Sequence, residues 1–471
     1  MKKVLAFDLG ASSGRAMLGV LDEGKITIEE IHRFSNDPVT INGTMYWDVL
    51  RLLFEIKHSI AKTKGHKINS IGIATWGVDF GLLDKNGDLL ANPVHYRDAR
   101  TQGMLEKAFE KIPRDELFSV TGNQFMELNT IYQLLSLQQK GSHILENAHT
   151  MLLMPDLFNY FLTGKMKTEQ SIASTTQLYD SQEKKWSAKI IDALGLPARL
   201  FTDIVPSGTV IGQTSEEVNS QLGIELIDVI AVAGHDTQSA MVSIPTTEED
   251  FVFLSCGTWS LLGTETPAPI ISAQARKYNM NNEAAYGGKN AFLKNIGGLW
   301  LLQESKRQWA KEGQHFTFSQ LEAMAKSYKP FECGIVDSDA EVFIAEGDIP
   351  TRIRQYCKQK GQHIPQSPGE VARCINDSLA LKYKQALEEI ETCTGKKYPT
   401  IYMVGGGIQS ALLCQSTADV CGRPVYAGPV EATVLGNVAV QLMAAGVIKS
   451  LNDAREVIRN SQEIVVYNGG N

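Results

Sequence analysis

The chain has 471 residues, 43% hydrophobic and 21% charged, a globular composition long enough for two to four domains of roughly 150 residues each. With 45 basic against 53 acidic residues the formal net charge is −8, which disfavours nucleic acid or an anionic membrane as a partner. No run approaches the roughly 18 apolar residues of a membrane span, and MKKVLAFDLG is too poor in apolar residues for a signal peptide. The seven cysteines show no C-x-x-C pair and no zinc spacing, and their odd count with no export signal favours a reducing cytoplasm; Cys357 and Cys374 can close a loop, but free thiols are the expectation.

In chain order the first element is an apolar strand, KKVLAFDL (2–9), that enters the turn of FDLGASSGR. Small residues there leave backbone N–H groups unobstructed and add two hydroxyls, a suitable cradle for phosphate oxygens. Arg15 adds a positive charge, and Asp8 at the strand end suits a hydrated Mg²⁺. A small-residue hairpin turn can equally be only a turn. RAMLGVL reads as the returning strand, WDVLRLLFEIKHSIAKTKG (47–65) as an amphipathic helix and NSIGIATW (69–76) as a strand. In the turn that follows, Trp76 and Phe80 can offer an apolar face to a sugar or pack as aromatic core. Asp79 and Arg97 can bind hydroxyls or pair with other charges.

DVIAVAG (228–234) reads as a buried strand ending in His235, Asp236 and Thr237, where a helix begins. Asp236 can cap that helix or accept a proton as a general base. His235 can be a packed histidine or a hydrogen-bond donor to a hydroxyl. SIPTTEED (243–250) reads as a connector. After it, FVFLSCGTWS (251–260) aligns without gaps to VLAFDLGASS (4–13), so two glycine-bearing hairpins open two halves, 1–243 and 244–471. EVARCINDSLALKYKQALEEIETCTG (370–395) has helical periodicity, and TIYMVGGG (400–407) is a strand whose glycine turn lets backbone approach a ligand. Strands alternating with helices predict an α/β protein. The sequence contains no Walker A loop, complete dinucleotide fingerprint, protein-kinase motif set, H-E-x-x-H or G-x-S-x-G.

DLGASSGR, EIHRF, TWGVDF (75–80), YRDART (96–101), AGHDTQSA, GTWSLLG (257–263), NIGGLWLLQESKRQW (295–309), GGGIQS and AGPVEATVLGN (427–437) span nearly the whole chain. Together they resemble the sugar kinase, heat-shock chaperone and actin superfamily, and within it the carbohydrate kinases that include glycerol, xylulose and gluconate kinases. The closest resemblance is to members acting on L-rhamnulose. It implies two actin-like (ribonuclease H-like) domains around a central cleft, with ATP and Mg²⁺ as cofactors. It also implies phosphorylation of a small ketose at its C1 hydroxyl by a cytoplasmic monomer or small homo-oligomer. Carried onto this sequence, Ala11, Ser12, Ser13, Gly14, Arg15 and Thr258 meet the phosphates, Gln303 and Gly406 border the nucleotide, and Asp8 lies near the metal. Gly77, His235, Asp236, Thr237 and Asn295 line the sugar pocket, with Asp236 as the catalytic base. A kinase for L-fuculose or xylulose, or a non-catalytic actin-like ATPase, is the competing expectation. No segment after AGPVEATVLGN is long enough for a chaperone's peptide-binding domain.

Overall fold

The structure, a computed structural model, describes residues 2–470. Packing divides the chain into two compact units. The first takes the chain through Thr247 together with Glu265–Phe292 and Ala432–Ser461, and the second takes Glu248–Thr264, Leu293–Glu431 and the chain from Gln462 onward. The first break falls within SIPTTEED, but two segments lying beyond residue 243 in sequence pack with the first unit.

In the first unit, β1 (Lys2–Leu9), β2 (Ser13–Asp22) and β3 (Lys25–Ser35) form an antiparallel meander. Further along come β4 (Ser70–Thr75), β5 (Thr209–Gln213) and β6 (Asp228–Ala231). β4 pairs parallel to β1 and β6 parallel to β4, while β5 closes the edge antiparallel, for the order β5-β6-β4-β1-β2-β3. β1 from Val4 onward and all of β4 are buried, as strands covered on both faces must be. One cover is the helix Ala432–Ala444, whose Val434, Leu435 and Val438 share a core with Val4, Ala6, Met17 and Ile230. Its Asn437 Nδ2 donates to the Phe7 and Gly72 carbonyls at 3.2 and 3.1 Å, and Gln441 Nε2 to that of Leu5 at 3.2 Å. The same helix packs on the helix Asp236–Val242, where a Cβ added to Gly436 would stand 1.7 Å from the Ser239 carbonyl oxygen. Only glycine permits that approach.

In the second unit, β7 (Val252–Cys256) and β8 (Trp259–Thr266) form a hairpin, β9 (Ile401–Val404) and β10 (Val425–Ala427) extend it in parallel, and β11 (Val465–Tyr467) ends it antiparallel. The order β8-β7-β9-β10-β11 repeats β2-β1-β4-β6-β5 in strand direction. A hairpin whose first strand has two further strands parallel to it is the part of this repetition that is actin-like. The edge strand precedes its neighbour in the first unit and follows it in the second. Against this sheet lies the helix Pro368–Thr394, begun by a capping box in which Ser367 and Glu370 satisfy each other's backbone N–H groups. Gly395, with φ of 67°, ends it in the left-handed conformation. No helix among the described residues is long and apolar enough to cross a membrane.

Candidate active site

The carboxyl ends of β1, β4 and β6 lie side by side at one edge of the first sheet, where ligands of parallel α/β sheets gather. Asp8 ends β1 and is joined cross-strand to Arg15, whose Nε and Nη2 donate to Asp8 Oδ2 at 3.2 and 2.9 Å. Between them the turn places Ala11, Ser12 and Ser13 at least partly in solvent, with Gly14 buried behind. The buried Asn36 braces this turn: its Nδ2 donates to the Gly10 carbonyl at 2.8 Å and its N–H to that of Ser12 at 3.1 Å. Both carbonyls are thereby occupied from behind.

After β6, His235 takes the N-cap position of the helix Asp236–Val242 and makes no side-chain cap bond, while Asp236 is the first helical residue. The aspartate is therefore not the N-cap, and 31% of its side-chain surface remains exposed. Its Oδ1 accepts from the Thr237 hydroxyl at 3.2 Å and lies 3.5 Å from His235 Nε2. Burial of the carboxyl and the nearby Asp8 raise its pKa, His235 and Thr237 oppose them, and the result is about 6. His235 Nδ1 meets Glu283 Oε2 at 2.8 Å. Burial disfavours the imidazolium, but the Glu283 carboxylate outweighs it and lifts the His235 pKa to about 9. At neutral pH the site thus holds an imidazolium beside an ionised aspartate.

The turn that carries these residues is anchored by a buried acid pair. Glu169 Oε2 accepts from the Gly234 N–H at 3.0 Å, the Ile172 N–H at 3.0 Å and the Ser171 hydroxyl at 2.6 Å. Ser171 Oγ in turn accepts from the His235 N–H at 3.2 Å. Asp156 Oδ1 takes the Glu169 N–H at 3.0 Å, its Oδ2 has no partner, and burial together with the neighbouring Glu169 pushes its pKa well up.

Gly77 follows β4, and Thr75 bridges to His235, so Gly77 stands near the same edge. The neighbouring alternatives are resolved toward structure. Asp79 is 1% exposed and accepts from Trp47 Nε1, Trp76 Nε1, the Tyr96 N–H and Gln133 Nε2 at 2.6, 3.0, 3.2 and 2.9 Å. Four donors leave it nothing to offer a sugar. Trp76 packs on Trp47 with centroids 4.1 Å apart, and Phe80 is buried, so both are aromatic core. Arg97 lies over the Tyr96 ring.

The second unit contributes its own cavity of about 320 Å³, whose lining includes Gly257, Gln303, Glu322, Asn376 and Gly406 among both apolar and polar side chains. Thr258, between β7 and β8, donates from Oγ1 to Gln303 Oε1 at 3.1 Å. Thr258, Gln303 and Gly406 are thus gathered at one place, after β7 and β9. The glycine turn is sterically required: a Cβ on Gly407 would lie 2.2 Å from Cys256 Sγ, and Gly405 has φ of 88°. Asn295 is half-buried on the strand Asn290–Gly297, in the stretch from Leu293 that packs with this unit.

Among the described residues no three His, Cys, Asp or Glu side chains cluster as a metal cage. A carboxylate beside a turn of backbone amides, as Asp8 is, nevertheless has the oxygen-donor chemistry that suits Mg²⁺, which keeps several waters and shares its remaining positions with phosphate oxygens. All seven cysteines, Cys357 and Cys374 among them, are free thiols. Sequence reasoning missed Glu283, Asn36, Asp156 and Glu169. Their signal is a charged or amide side chain inside segments that pack as core, and it is visible only once burial is known.

Residues 3–243 match the N-terminal domain, and residues 252–445 the C-terminal domain, of the FGGY family of carbohydrate kinases. The chain is 43% identical over 467 residues to a rhamnulokinase of Oceanobacillus iheyensis, covering 98% of this chain and 97% of that one. It is 41% identical over 464 residues to a rhamnulokinase of Bacteroides thetaiotaomicron, covering 98% and 95%. In fold it is similar to a ligand-bound xylulose kinase from Lactobacillus acidophilus, with a TM-score of 0.81 at 18% identity, covering 100% and 94% of the two chains. A Plasmodium falciparum glycerol kinase with ADP gives 0.77 at 16% identity, covering 100% and 94%. With both domains matched in order and full-length relatives above 40% identity, the chain belongs to the FGGY family of carbohydrate kinases.

Proposed function

We propose that the enzyme transfers the γ-phosphoryl group of ATP to the C1 hydroxyl of L-rhamnulose, giving L-rhamnulose 1-phosphate and ADP, with Asp236 as general base. The observation that carries the reading is the Asp236 carboxyl, partly exposed at the carboxyl edge of the first sheet with a pKa of about 6. A base of that pKa is ionised at neutral pH yet basic enough to take a proton as the new O–P bond forms. Its relatives' names supply the substrate.

Phosphoryl transfer asks mainly for positioning and charge neutralisation. In the first unit, the N–H groups of Ala11, Ser12, Ser13 and Gly14 and the Arg15 guanidinium take phosphate oxygens. Asn36 supports this by holding the Gly10 and Ser12 carbonyls on the opposite side. Asp8 holds Mg²⁺, which supplies further neutralisation of the phosphates when bound. In the second unit, Thr258 meets phosphate, and Gln303 and Gly406 border the nucleotide in a cavity of about 320 Å³. Gly77, His235, Thr237 and Asn295 contact the ketose. Asp236 removes the C1 hydroxyl proton while the oxygen attacks the γ-phosphorus and ADP leaves.

A panel of ketoses assayed for ADP release with Mg-ATP tests the reading. L-Rhamnulose is expected to give the highest kcat/KM, above L-fuculose and xylulose. ADP release with L-rhamnulose no faster than the sugar-free blank, alongside turnover of another ketose, would overturn the substrate.

A further inference from the structure

Glu283 lies in the strand Asn281–Ala284, 48 residues beyond His235, in a segment that packs with the first unit. It is 3% exposed, and both of its oxygens are occupied. Oε2 accepts from His235 Nδ1 and Gln238 Nε2, each at 2.8 Å, and Oε1 accepts from Asn281 Nδ2 at 2.8 Å. A carboxylate so enclosed does not touch a substrate; its effect must pass through the groups it holds. One of these is His235, whose opposite nitrogen, Nε2, faces Asp236 Oδ1 at 3.5 Å.

We propose that Glu283 is a positioning residue for phosphoryl transfer: by binding Nδ1 it fixes the plane of the His235 ring and aims its Nε2–H at the Asp236 carboxylate. The inference rests on the reading of Asp236 as general base. An imidazole tied at one nitrogen by a carboxylate presents the other in a set direction, the arrangement by which outer carboxylates orient histidines in many sites. The charged groups facing the ring are Glu283, Asp236 and Glu169, all acidic, so the ring keeps protons on both nitrogens and Nε2 is a donor. Gln238, on the helix Asp236–Val242, is clamped by the same Glu283 oxygen, which ties the start of that helix to the ring.

A double-mutant cycle tests this on the full-length enzyme. Glu283→Gln is expected to lower kcat/KM for L-rhamnulose by about tenfold or more, while KM for ATP changes less than about twofold. In a His235→Asn background the same substitution is expected to cost less than about twofold, because its route to Asp236 is already gone. Should Glu283→Gln fail to fold, Glu283→Asp, which keeps the charge but retracts it by one methylene, enters the same cycle with the same expectation. An equal cost with and without the His235 ring, or a loss confined to KM for ATP, would overturn the proposal. Asp236→Asn run in parallel separates the two readings. If it turns over normally, the base assignment fails; if it is inactive while Glu283→Gln is unimpaired, only the role of Glu283 fails.

Discussion

Asp236 sits among groups that pull its proton affinity in opposite directions. Burial and Asp8 favour the neutral acid, His235 and Thr237 favour the anion, and the balance falls at about 6. Below that pH the carboxyl proposed as the base carries a proton and cannot accept another. The kcat/KM for the ketose is therefore expected to fall about tenfold per pH unit below pH 6. His235, with a pKa of about 9, loses the charge that favours the Asp236 anion as pH rises past that value, which sets a second decline on the alkaline side. A profile flat from pH 7 to pH 5 would contradict the assignment. At this scale the sequence was informative where chemistry follows directly on a strand: GHDT after an apolar run marked His235 and Asp236. It left Asp79 open between binding and structure, because four donors from Trp47, Trp76, Tyr96 and Gln133 converge on it only in three dimensions. Glu283 stood in NMNNEAAYGG with no periodicity to announce it.

Among the elements, the helix Asp236–Val242 depends on its neighbour Ala432–Ala444. Gly436 lets the two backbones approach, and Thr433 Oγ1 donates to the Asp236 carbonyl at 3.3 Å. A methyl group at 436 must push the helix bearing Asp236 away, since the atoms in its path are backbone rather than a movable side chain. Gly436→Ala is expected to destabilise the protein by roughly 1–3 kcal/mol and to lower kcat, read by thermal unfolding and ADP release together. Wild-type stability and rate in that variant would show that the helices separate without consequence. The strands 2–9, 69–76, 228–234 and 400–407 and the one that opens FVFLSCGTWS, read from hydrophobic runs, all occur, within a few residues of the expected ends. Both long amphipathic helices do too, because burial of one stripe writes its period into the sequence. The role of AGPVEATVLGN was not legible. Its Asn437 bonds strands more than 360 residues earlier, such as Gly72 at a separation of 365, and its Gly436 faces the helix Asp236–Val242.

Across the whole molecule, the echo of VLAFDLGASS in FVFLSCGTWS falls on the hairpins of a six-stranded and a seven-stranded sheet, five strands of which match in direction. A ten-residue likeness could reveal the repeat because each hairpin joins an apolar strand to its antiparallel partner through a glycine-bearing turn. The interleaving of segments 265–292 and 432–461 with the first unit left no such trace, since cover for a sheet face can come from any distance along the chain. That return of the chain is what supplies Glu283 and the helix over β1 and β4 to the site. The central claim is that the enzyme so assembled phosphorylates L-rhamnulose with Asp236 taking the hydroxyl proton. It is tested most directly by measuring L-rhamnulose-dependent ADP formation and nucleotide affinity in Asp236→Asn. Nucleotide binding at the wild-type level with kcat reduced roughly 10²–10⁴-fold is the predicted result, and turnover close to wild type would contradict it.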